Sequence, residues 1–198
     1  MRKFLRSALV IAVSISAVAI SAVSAQSAMP TAGASSQPIG HYEFCKAYSD
    51  QCTPNAAVGM ARLTDANWKM IVEINNAVNV AIFPRTDQDI HGTPELWSYP
   101  TTEGDCEDYA LLKQYMLEKE GIPRSALLIT VVRQPNGDGH AVLTVRTDGG
   151  DFILDNLDDQ VLDWEQTSYQ FLKRQSEANA GQWVGINDHR NMLVGSIR

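Results

Sequence analysis

The residues best equipped for chemistry are Cys106, His140 and Asp155. Cys106 stands in Gly104-Asp105-Cys106-Glu107-Asp108-Tyr109-Ala110, with three carboxylates around one thiol. The thiolate, not the thiol, is the nucleophile, and a helix N-terminus lowers a thiol's pKa. Asp105 is a natural N-cap, so Cys106 falls at that end of a helix. Acyl chemistry at sulfur also needs a base to take the proton and a third group to orient the base. His140 follows a Gly-rich turn, and Asp155 ends the strand run that comes next. His41, His91 and His189 compete for the base role, although His189 lacks a flanking strand pattern.

Register decides whether His140 and Asp155 can meet. With Asp148-Gly149 as a two-residue turn, Thr147 faces Gly150, Val142 faces Asp155 and His140 faces Leu157. His140 and Asp155 are then diagonal neighbours on one sheet face, about 7–8 Å apart at Cα and within side-chain reach. A three-residue turn without a bulge would put them on opposite faces.

The acids around Cys106 pull two ways. Their negative field raises the thiol pKa, and a bound Ca²⁺ would offset it, since hard cations take carboxylate oxygens. The plainer alternative is that acids favour a helix N-terminus. EF-hand spacing is absent.

The elements that must position these residues are readable in part. Thr64 caps a helix starting at Asp65, whose apolar face carries Ile71, Ile74, Val78 and Ile82 and which Pro84 ends. Asn75, Asn76 and Asn79 inside it are either solvated or engaged in polar work. Residues 84–104 form a long connection of the kind that is often functional. In it, Trp97 and Tyr99 either line a cleft or pin the loop to the core. Asp105 to Glu120 reads as a helix stopped by Gly121 and Pro123. Leu127–Arg133, His140–Thr147 and Asp151–Asp155 read as an antiparallel meander with apolar residues at both parities, so both faces are expected to be covered. Residues 162–180 read as a further helix carrying Tyr169, Phe171 and Leu172. No internal repeat is present.

Composition bounds the rest. The chain has 198 residues, 44% hydrophobic and 20% charged, with formal charge -7. That suits one globular domain plus an export segment and argues against nucleic-acid binding, which needs clustered Lys and Arg. Residues 1–25 read as a signal peptide: Arg2, Lys3 and Arg6, an apolar stretch to Val23, and a small-residue cleavage site at Val23-Ser24-Ala25. An uncleaved anchor is the alternative. Cleavage would leave 13 basic against 23 acidic side chains. Residues 26–40 lack periodicity and read as a disordered mature N-terminus, with the domain expected over 41–198. In an oxidising compartment Cys45 and Cys52 can bridge if their loop brings them close, which leaves Cys106 as the odd thiol.

Three ordered motifs carry a family resemblance: Gly104 to Lys113, Gly139-His140-Ala141-Val142-Leu143, and Leu154-Asp155-Asn156-Leu157. Together they resemble the bacterial transglutaminase-like cysteine peptidases, including the LapG-type periplasmic proteases. Phe44-Cys45, the Asp87 to Trp97 stretch with Gly92 and Glu95, and Tyr169 to Trp183 also look similar. The resemblance implies an α+β, papain-like or transglutaminase-like fold, with Cys106 as nucleophile at a helix start packed on an antiparallel sheet. His140 would be the base and Asp155 the orienting carboxylate. It further implies calcium held by Asp105, Glu107 and Asp108. The implied substrate is a large surface adhesin, cut near paired alanines to release cells from biofilm, and the implied regulator is an inner-membrane receptor that senses cyclic-di-GMP. The Cys45/Cys52 loop departs from the best-known members.

The expectation is therefore a monomeric periplasmic cysteine endopeptidase acting on a protein, with no nucleic-acid partner. Two other classes share the residues: an acyltransferase joining glutamine to an amine, and a non-enzymatic binding module. Amine incorporation marks the first, and a Cys106 that resists thiol probes marks the second.

Overall fold

The computed structural model describes residues 28–190, so the export segment lies outside the described residues. Strand β1 (Thr31–Ser35) leads into α1 (Ile39–Ala47), and α2 spans Asp65–Ala81. Next come β2 (Phe83–Pro84), α3 (Asp87–His91) and β3 (Glu103–Gly104), and then α4 (Cys106–Lys119). Six strands follow: β4 (Leu127–Arg133), β5 (Gly139–Thr147), β6 (Gly150–Leu154), β7 (Leu162–Asp163), β8 (Gln170–Gln175) and β9 (Trp183–Ile186). Seven strands make one sheet in the order β1-β9-β8-β4-β5-β6-β7, with every neighbouring pair antiparallel. The fold is thus the expected α+β class.

The helices form for local reasons and stay for tertiary ones. The Thr64 hydroxyl accepts the Asn67 N–H at 3.2 Å and caps α2, which buries Ile71, Ile74 and Val78. Helix α4 lies between α2 on one side and β4 and β5 on the other. It accordingly buries residues around most of its circumference, including Tyr109, Leu111, Lys113, Gln114 and Leu117. Gly121, at φ 93°, supplies the left-handed residue that ends α4, and the Ile122 N–H closes back on the Leu117 carbonyl at 3.1 Å.

Both sheet faces are covered, which explains apolar residues at both parities. Ile129, Leu143, Val145 and Leu154 face the helices. Val132, Val142, Ile153 and Phe171 join Trp164, Ile186 and Met29 on the other face. The two-residue turn holds the register: Thr147 pairs with Gly150 and Leu143 with Leu154.

Two expectations are corrected. The segment 26–40 is not disordered over its described part. β1 pairs with β9, Met29 is buried, and the Met29 N–H donates to the Asp151 carboxylate at 2.9 Å. Small residues without periodicity give no local signal, and pairing with a distant strand orders them. Residues 162–180 are not helical but contain β7, a short 3₁₀ turn and β8. The Lys, Arg and Gln content favours a helix locally. Pairing of β8 between β4 and β9 overrides that preference. A buried ion pair, Arg174 to Asp151 at 3.0 Å, fixes β8 in the core. Cys45 and Cys52 are joined, with their Cα atoms 5.6 Å apart. Among the described residues, no helix is long and apolar enough to cross a membrane.

Candidate active site

Cys106 is the first residue of α4, and it is the free cysteine. His140 enters from β5, and Asp155 follows the last residue of β6. The His140 Nε2 donates to Asp155 Oδ1 at 2.8 Å, both residues being buried. Since β5 and β6 pair in the register set by the two-residue turn, the diagonal meeting of His140 and Asp155 occurs as the spacing requires. Asp155 also accepts the Leu157 N–H at 3.0 Å and the Tyr169 hydroxyl at 2.5 Å. Burial pushes its pKa up, but the bonds from His140, Tyr169 and Leu157 together hold the carboxyl below the usual carboxylate range.

The Asp155 backbone is tied to both central helices. Its carbonyl accepts Lys113 Nζ of α4 at 2.9 Å and Asn79 Nδ2 of α2 at 2.9 Å. Asn75 donates to the Asp159 carbonyl at 3.1 Å. Asn75 and Asn79 therefore perform polar work: they fasten the loop after β6.

Cys106 and His140 line a common cleft of about 330 Å³ with Glu95, Trp97, Gly139 and Lys173. Trp97 is buried and lines this cleft, whereas Tyr99 packs edge-on against Phe44, Tyr48 and Tyr115 and pins the loop. The Cys106 thiol donates to Glu107 Oε2 at 3.2 Å. Burial pushes the thiol pKa well up. The Glu107 charge adds to this, and a bond from the Ala141 N–H opposes it.

The acids separate into two groups. Asp105 occupies the N-cap position of α4, yet its side chain makes no cap bond. It turns instead to accept the Asp87 N–H at 3.2 Å. The parallel pairing of β2 with β3 makes this contact possible by laying residues 83–84 beside 103–104. Carboxylate oxygens of Asp87, Asp105 and Glu107 all lie within 4.8 Å of one another. Asp87 Oδ1 and Asp105 Oδ1 are buried without a hydrogen-bond partner. Burial first, and Asp105 second, push Glu107 up to about 9.

Asp108 does a different job. Its carboxylate accepts the Ser98 N–H at 2.8 Å and so braces the loop that carries Trp97. Burial pushes it up to about 7. Gly104 is what lets it approach, because a Cβ there would sit 2.8 Å from Asp108 Oδ2. Of the three flanking acids, the structure groups Asp105 and Glu107 with Asp87 and turns the Asp108 carboxylate to the Ser98 N–H of the loop.

The other imidazoles lie elsewhere. His41 is buried, with Nδ1 accepting the Trp183 indole N–H at 3.0 Å, and burial lowers its pKa to about 4. His91 and His189 are exposed. Reading the sequence missed the contributions of Asp87 and Tyr169 to this site. Both come from segments that only tertiary pairing brings near.

Residues 31–191 match the family described as bacterial transglutaminase-like cysteine proteinase. Solved structures with similar folds include calcium-bound Legionella pneumophila LapG, 22% identical, with a TM-score of 0.49 over 57% of this chain and 66% of that one. The EGTA-treated form of the same protein is 23% identical, with a TM-score of 0.48 over 55% and 62%. The aligned region thus spans less than two thirds of those LapG chains. No curated protein matches the chain. The family match covers most of the sequence, and the chain belongs to the bacterial transglutaminase-like cysteine proteinases.

Proposed function

We propose that this cysteine peptidase is an exported endopeptidase in which Cys106 is the nucleophile, His140 the general base and acid, and Asp155 the orienting carboxylate. The observation that carries this reading is the buried His140–Asp155 hydrogen bond of 2.8 Å in a cleft shared with the only free thiol of the described residues. With Nε2 committed to Asp155, the imidazole has Nδ1 left to take the thiol proton. The thiolate then attacks a peptide carbonyl. The Cys106 N–H at the start of α4 is the natural donor to the developing oxyanion. His140 returns its proton to the leaving amine, and water hydrolyses the thioester by the same route in reverse.

The acids beside the thiol fit a hard cation. Asp105 and Glu107, joined by Asp87, would hold Ca²⁺, since two of these carboxylates carry buried oxygens without partners. When bound, a divalent cation there would neutralise the negative field beside the thiol. Asp108 supports the site by holding the 98 loop.

Export to the periplasm is supported by the positive, apolar, small-residue pattern of residues 1–25 and by the Cys45–Cys52 bridge. By family resemblance, the substrate is a surface adhesin and the regulator an inner-membrane receptor. The test is cleavage of a candidate adhesin fragment by the purified protein. Loss of cleavage in Cys106→Ala and on chelation is expected, and cleavage by Cys106→Ala would end the reading.

A further inference from the structure

We propose that Tyr169 is a positioning residue for the Asp155–His140 pair. This rests on the assignment of those two residues to the triad. The Asp155 carboxylate is shared. One oxygen takes His140 Nε2 at 2.8 Å and the Leu157 N–H at 3.0 Å, and the other takes the Tyr169 hydroxyl at 2.5 Å. The Tyr169 ring also packs on the imidazole, with centroids 5.5 Å apart and planes inclined at 55°. One aromatic side chain therefore touches both members of the pair.

Tyr169 is itself held. The Arg190 guanidinium donates to the carbonyls of Trp164 at 2.6 Å and Tyr169 at 2.8 Å. It pairs with Asp188 at 2.9 Å and lies over the rings of Trp164 and Phe171. The loop carrying Tyr169 is thus anchored on its carbonyls, and the phenol hydroxyl is left to face Asp155. A cavity of about 190 Å³ adjoins the pair, lined by Asp155 and Tyr169 together with Asp158, Gln160 and Thr167.

The chemical consequence follows from charge sharing. A carboxylate that accepts a phenol hydroxyl on one oxygen is a weaker acceptor on the other. Tyr169 therefore fixes the carboxylate plane and moderates the pull of Asp155 on the His140 Nε2 proton. Outer partners of metal-bound histidines act by orienting the ring, and losing one typically costs about 10-fold or more; Tyr169 is expected to act on His140 in the same way.

The experiment uses the full mature protein, labelled with ¹⁵N-histidine, in wild-type and Tyr169→Phe forms. His140→Ala assigns the His140 ring signals. Two quantities are read: the chemical shift of the His140 Nε2 proton, and the rate of Cys106 alkylation by iodoacetamide at pH 7. In Tyr169→Phe the proton is expected to move downfield and alkylation to slow about 10-fold. Replacing Tyr169 with 3-fluorotyrosine, whose hydroxyl is the stronger donor, is expected to move the proton the opposite way, and it keeps the test open should the Phe variant fold poorly. A His140 proton that stays at its wild-type shift in both forms overturns the proposal, as does a Tyr169→Phe alkylation rate within about twofold of wild type. Cleavage of substrate by Cys106→Ala would instead overturn the triad itself and is measured separately.

Discussion

Lys113 gives the structure an unusual stability profile. Its side chain is 1% exposed, and its ammonium has the Asp155 carbonyl as hydrogen-bond acceptor at 2.9 Å. Burial lowers its pKa from 10.5 to about 7, while Asp155 and Asp159 pull the other way. The unfolded lysine keeps its proton up to about pH 10.5, whereas the folded one gives it up near 7. Between those values the unfolded state binds more protons, so stability rises with pH, and the penalty is fully present below pH 7. A gap of about 3.5 pKa units corresponds to roughly 5 kcal/mol over the whole window. Lys113→Met conserves volume and does not titrate. The stability of wild type relative to this variant should therefore climb by roughly 2 to 3 kcal/mol between pH 7.5 and 9.5. Urea unfolding followed by tryptophan fluorescence measures it, since Trp97, Trp164 and Trp183 are all buried. Taking the difference between the two proteins cancels other titrating groups, and a Cys106→Ala background removes thiol exchange with the Cys45–Cys52 bridge. A difference that stays flat within about 0.5 kcal/mol across the window would refute the reasoning.

Two further outcomes follow from the same arrangement. His41 is held neutral with a pKa of about 4 against 6.5 in an open chain, so the protein should lose about 3 kcal/mol as pH falls from 6.5 to 4. His41→Gln should flatten that loss in urea titrations at pH 7, 5.5 and 4.5. Asp87→Asn and Asp108→Asn should separate the two groups of acids. The first is expected to weaken calcium binding in isothermal titration by at least about 10-fold, and the second to leave it within about threefold while lowering the thermal midpoint.

How much of this was legible depends on how local the signal was. The meander was readable from its turn residues and strand runs, and Asp148-Gly149, once it forms the two-residue turn, fixes which residues share a face. The placement of His140 beside Asp155 followed from it. Helix α4 was readable from Asp105, the apolar spacing and Gly121. What could not be read is what distant pairing decides. Asp87 reaches Asp105 because β2 lies beside β3, and nothing in residues 83–87 announces that neighbour. β8 looked helical because its polar residues favour helices in isolation. Their partners are far off in sequence: Asp151 for Arg174, and Gln114 for Gln175. Asp105 shows the limit of a correct local reading, since it stands at the N-cap while its carboxylate turns away to the acid cluster.

That cluster carries a last prediction, conditional on the calcium site. Without a cation, the carboxylates of Asp87, Asp105 and Glu107 cannot all hold charge within 4.8 Å of one another, and Glu107 and Asp87 are both pushed above the usual carboxylate range. With a pKa of about 9, Glu107 is mostly protonated at pH 7.5. Its Oε2 also takes the thiol bond, and the raised thiol pKa keeps the sulfur neutral. Thiol and acid thus stabilise each other in a resting form. Metal binding requires ionised ligands and releases the protons they held. Calcium binding should therefore release about one proton per ion at pH 7.5, falling towards zero as pH rises through 9. Affinity should strengthen over the same range. Isothermal titration in buffers of different ionisation enthalpy reads the proton count directly. Glu107→Gln should abolish the release together with most of the binding. Tight binding with no proton release near pH 7.5 would mean that Glu107 is already ionised, and the electrostatic account of the resting thiol would fall with it.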